Sequence, residues 1–81
     1  MSYEEKLDPN SYIGYKFREL LAWTEGKDRH ITLTAIVTIR SLHIYPLAIV
    51  EYKVRNHLTD FVFITQDFEE AVKKYNKEVN I

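Results

Sequence analysis

The chain has 81 residues, 46% of them hydrophobic and 28% charged, with a formal net charge of −1. That is the composition of one small globular domain, near the size at which burial only just outweighs chain entropy, and it excludes a disordered chain. The absence of cysteine excludes disulfides, thiolate zinc sites and cysteine nucleophiles together.

No apolar run approaches the length of a membrane span, and residues 1–10 lack a signal-peptide core, so the expectation is a cytoplasmic protein without membrane contact. Six Tyr, four Phe and one Trp are more rings than so small a core encloses, which places some at the surface or in an interface. Charge is unevenly spread. Lys27, Arg29, Arg40, Lys53 and Arg55 face only Asp28 and Glu51 within residues 27–55, so a basic middle lies between two acidic segments.

Residues 1–7 read as a loosely ordered start to a single domain over 1–81. Asp8-Pro9 supplies an N-cap followed by proline at the first helical position, where a missing N–H costs nothing. Ile13, Phe17, Leu20, Leu21 and Thr24 then recur at helical spacing, and Gly26 suits a left-handed helix end, so a helix is expected over about residues 10–24. The competing reading is a strand from Leu20 to Thr24 that turns through Glu25-Gly26-Lys27-Asp28 into the next strand.

Residues 30–40 form the firmest element. Ile31, Leu33, Ala35, Val37 and Ile39 alternate with Thr32, Thr34, Thr38 and Arg40, the period of a strand with one face in a core. A second strand over about residues 45–55 carries Ala48, Val50, Tyr52 and Val54 on one parity. The short gap between the two dictates an antiparallel hairpin in which these two apolar sets share a face. Pro46 cannot donate to a ladder and implies a longer loop or an edge position.

A polar break at residues 55–60 leads to a short strand, Phe61 to Ile64, apolar throughout and so expected to be covered on both faces. Asp67 and Glu70 then form a capping-box pattern, and Phe68, Ala71, Val72, Tyr75 and Val79 make the apolar stripe of a last helix. Glu69–Lys73 and Glu70–Lys74 have the favourable orientation for i,i+4 pairs. The resulting expectation is an α+β two-layer sandwich in the order α-β-β-β-α, a three-stranded antiparallel sheet with both helices on the Leu33/Val37/Val50 face.

That order matches the double-stranded-RNA-binding domain. The family places a lysine cluster at the start of its last helix, where this chain has Asp67-Phe68-Glu69-Glu70, so the resemblance is one of element order alone.

With both helices on one face, the other presents Ile36, Leu47 and Ile49 with Tyr45 at one side. Burying each aliphatic side chain is worth roughly 1.5–3 kcal/mol, which makes these four residues the candidate partner-binding patch, in a homodimer or against another protein. Arg40, Lys53 and Arg55 lie on the same outer parity and are the candidate nucleic-acid contacts of an alternative reading.

Catalytic chemistry lacks its usual parts. His30, His43 and His57 have neither HExxH spacing nor a cysteine pair, so surface histidines are expected and no metal site. Ser41, His43 and Asp60 lack a nucleophile elbow, and two glycines in the whole chain cannot build a phosphate-cradling loop. The sequence thus points to a non-catalytic protein-binding module without a cofactor, a small regulator or inhibitor.

Overall fold

A computed structural model describes residues 7–80. The expected loose start at residues 1–7 falls, apart from Leu7, outside the described residues. Asp8 does cap, its carboxylate accepting from the Asn10 N–H at 3.0 Å, and Pro9 does open a turn. This turn is a single 3-10 turn, Pro9–Tyr12. Ile13 is extended and Gly14 sits at φ +87°, a conformation natural to a residue without Cβ, and the chain leaves as a strand.

The expected first helix is therefore overturned. Strand β1 spans Lys16–Gly26 and pairs antiparallel with β2, Arg29–Ile39, across the two residues Lys27-Asp28. Gly26 closes this hairpin with φ outside the left-handed region, so it is not a helix cap. Strand β3, Ala48–Asn56, pairs antiparallel with β2, and β4, Phe61–Thr65, pairs with β3. Among the described residues the sheet has four strands in the order β1-β2-β3-β4, followed by one helix, α1, Phe68–Val79. A four-stranded antiparallel sheet with one C-terminal helix replaces the α-β-β-β-α order, and with it the match to the double-stranded-RNA-binding domain disappears.

Why residues 16–26 extend follows from the neighbouring strand. A helix there would leave the outer N–H and C=O groups of β2 unpaired, whereas β1 answers β2 from Lys16↔Thr38 to Gly26↔Arg29. One irregularity interrupts the ladder. Register shifts between Leu20 and Ala22, so that Leu21 is an extra residue, a β-bulge.

The β2–β3 register has the expected parity, with Leu33 opposite Val54, Ala35 opposite Tyr52 and Val37 opposite Val50. Helix α1 packs on this face. Asp67 caps it by accepting from the Glu70 N–H at 3.2 Å, and Lys77 lies in its last turn. Glu69 pairs with Lys73 at 3.7 Å, but the Lys74 ammonium lies 4.9 Å from the centre of the Phe63 ring.

The core is small and sits at one end of the sheet. Ile31, Leu33, Val54 and Ala71 are buried together, with Ala22, Tyr52, Phe63, Val72, Tyr75 and Val79 packed around them. One helix is too narrow to reach the other end, so Val50 stays 41% exposed and Phe17 nearly half exposed. Strand β4 is an edge strand covered on one face only. Phe61, Val62 and Ile64 are exposed, contrary to the expectation of cover on both sides. Among the described residues, no helix is long and apolar enough to cross a membrane.

Candidate functional site

The face of the sheet turned away from α1 carries the side chains at Arg18, Leu20 and Trp23 of β1, at His30, Thr32, Thr34, Ile36 and Thr38 of β2, and at Ile49, Glu51, Lys53 and Arg55 of β3. The ladder sets the rows: Arg18, Ile36 and Glu51 form one, and Leu20, Thr34, Lys53 and Ile64 form another. Thr32, flanked by Trp23 and Arg55, sits in a third.

The four candidate partner-binding residues are spread along this face and beyond it. Ile36 is only 8% exposed, flanked in register by Arg18 and Glu51, so it has little area left for a partner. Ile49 is half-buried opposite Thr38, diagonal to Ile36. Leu47 is half-buried in the loop before β3, where its carbonyl accepts from the N–H groups of Arg40 at 2.8 Å and Ser41 at 3.2 Å. Tyr45 is 83% exposed at the loop tip and lines a hollow of about 400 Å³ with Arg40, Ser41, Ile44 and Pro46.

Of the three candidate cations, Lys53 and Arg55 come together, while Arg40 lies apart at the loop. Arg18, Thr32, Thr34, Lys53, Arg55 and His57 line a second hollow of about 140 Å³ on the open sheet face. Arg55 approaches Asp60 at 3.7 Å, and its buried Nε has no hydrogen-bond partner. Arg18 and Lys53 form no ion pair among the described residues.

Two of the histidines meet beside this hollow. The rings of His30 and His57 stack with centroids 4.1 Å apart, and the His57 N–H donates to the His30 carbonyl at 2.8 Å. His57 Nε2 shares a hydrogen bond of 3.0 Å with Thr32 Oγ1. Desolvation, followed by His30, Arg55 and Lys53, pushes the His57 pKa below its ordinary 6.5, against a smaller opposing effect of Asp60. Burial and the neighbouring positive charges thus favour its neutral form. Among the described residues no three His, Asp or Glu side chains gather as a metal site would require.

Ser41 and Asp60 lie at opposite ends of β3 and do not form a catalytic set. Ser41 Oγ accepts from the Ile44 N–H at 2.9 Å and caps the loop, and Asp60 belongs with Arg55.

Arg18 and Thr32 are the residues of the open-face hollow that the sequence does not single out. A helix over residues 10–24 would have kept Arg18 away from β2 and β3. The sequence offers Trp23 either as a ring packed over the sheet end or, with Tyr12 and Tyr15, as part of a protein-binding patch. It is 63% exposed on the open face, while Tyr15 lies toward Tyr12 and Phe17 with ring centroids 5.6 and 6.3 Å away. No protein-family model, no curated protein and no solved structure matches this chain.

Proposed function

We propose that this chain is a small, non-catalytic protein-binding module of the cytoplasm, which acts by associating with itself or with a protein it regulates or inhibits. The observation that supports this reading is surface left over. The sheet is longer than helix α1 can cover, so large side chains stay in solvent.

This leaves a broad uncovered surface around β1. Much of it is apolar. Trp23, Leu20 and Ile64 lie on the open face, and Phe17 and Val50 lie beyond the reach of α1. Trp23 is the natural anchor, since tryptophan is enriched among the few residues that carry most of an interface's binding energy. Tyr45 and Ile49 of the expected patch belong to this reading at its margins.

The test is the mass of the folded chain, measured by light scattering after gel filtration, alone and in extract of the cells that make it. The expected result is a discrete species heavier than 9.7 kDa, weakened about tenfold or more by Trp23→Ser, a change at an exposed site that leaves the fold intact. A mass of 9.7 kDa in both settings would overturn the reading.

The hollow of Arg18, Lys53 and Arg55 beside Trp23 favours a second reading, a nucleic-acid-binding module. Lys53→Glu with Arg55→Glu should then abolish salt-sensitive binding of a labelled single-stranded oligonucleotide. No binding by the unaltered chain at low salt removes that reading.

A further inference from the structure

We infer that the partner is a second copy of this chain, joined edge to edge through β1 in one antiparallel register that sets Lys16 against Glu25 of the other copy. This rests on the protein-binding reading and names its partner. The backbone supplies the first observation. β1 is an outer strand of 11 residues, and its far side is unpaired among the described residues. The Ile39 N–H donates to the Tyr15 carbonyl, so by antiparallel alternation Tyr15, Phe17 and Glu19 bond inward to β2. Lys16, Arg18 and Leu20 direct their N–H and C=O groups outward, and beyond the bulge so do Trp23 and Glu25.

Side-chain parity supplies the second. Lys16 faces Thr38 and Glu25 faces His30, both on the open side of β2. Nine positions separate Lys16 from Glu25, which in an uninterrupted strand would put them on opposite faces. The extra residue at Leu21 brings them onto one face. A two-fold axis between Leu20 and Leu21 therefore pairs only like faces: Lys16 with Glu25, Phe17 with Thr24, Arg18 with Trp23 and Glu19 with Ala22.

Charge supplies the third. In that register each copy places a cation opposite an anion at both ends of the ladder, and the Arg18 guanidinium opposite the Trp23 indole. A slide by one residue mixes the faces. A slide by two sets Lys16 against Lys27 in one direction and against Trp23 in the other, and either way separates Lys16 from Glu25. The matched register leaves both helices on one side of a continuous eight-stranded sheet, and Trp23 of each copy at the rim of the other's Arg18–Lys53–Arg55 hollow.

Two single variants and their mixture form the test. Lys16→Glu gives a strand with anions at both ends, and Glu25→Lys gives one with cations at both ends. Each alone should weaken dimerisation about tenfold or more at low salt, with the far-ultraviolet circular dichroism of the fold retained. Mixed one to one, the two should recover a dimer, because each then meets its complement.

Variants that still dimerise alone, or a mixture that stays monomeric, would overturn the register. A purified chain that remains at 9.7 kDa at every concentration would overturn self-pairing. If that chain still enters a complex in extract, protein binding itself stands.

Discussion

Thr24 Oγ1 and the Tyr75 hydroxyl share a hydrogen bond of 2.7 Å, linking the outermost strand to the helix. Thr24 and Tyr75 are both half-buried. Apart from this bond β1 is held chiefly by its ladder to β2. Tyr75→Phe should therefore cost about 0.5–1.5 kcal/mol in urea unfolding, and an unchanged midpoint would show the bond to be worth nothing.

The small core makes single methylene groups matter. Ile31 is almost wholly enclosed and touches the cluster of Leu33, Val54 and Ala71. Ile31→Val should cost about 0.5–1.5 kcal/mol by the same measurement. The same substitution at Ile49, on the margin of the open face, should cost clearly less. Equal losses at the two sites would contradict the placement of the core.

The Asp67 cap should be separable from packing. Its carboxylate is exposed and serves the N–H of Glu70, so Asp67→Ala should lower stability by about 1 kcal/mol, and Asp67→Ser by much less. Equal effects of the two would assign the residue another role.

His57 sets a pH dependence of definite sign. Its pKa is lowered by folding, so between the ordinary 6.5 and the lowered value the unfolded chain binds more protons than the folded one. The stability that His57 contributes is present above 6.5 and is lost as pH falls through that window. Urea midpoints at about pH 7.5 and about pH 5 should differ less in His57→Gln than in the unaltered chain. An identical difference would assign the acid sensitivity elsewhere.

What the sequence made legible was set by uninterrupted periods. Strands β2 and β3 alternate except at Ile36 and Ile49, and their apolar parities meet in the register that alternation demands. The last helix carries its own cap in Asp67 and its stripe in Ala71, Val72, Tyr75 and Val79. Residues 16–26 defeated the same reasoning because the bulge breaks their period. With Leu21 extra, Phe17, Glu19, Ala22 and Thr24 share one face, and parity changes sign midway. The apolar spacing left behind, Phe17, Leu20, Leu21 and Thr24, imitates a helix.

The surface was legible to a lesser degree for the same reason. Lys53 and Arg55 could be paired from β3 alone, and Thr32 and Thr34 face them across the β2–β3 ladder, whereas Arg18 joins them only once β1 lies beside β2. The stacking of His30 on His57 depends on a contact 27 residues apart in sequence, which no local pattern encodes.

The most direct measurement of the central claim is residue-resolved amide hydrogen exchange at Arg18 and Trp23, followed across a dilution series. Both N–H groups point away from β2 along the free edge. Pairing through β1 predicts that they exchange slowly in concentrated solution and quickly on dilution, while the inward amides of Phe17 and Glu19 change little. Fast exchange of Arg18 and Trp23 at every concentration would contradict it.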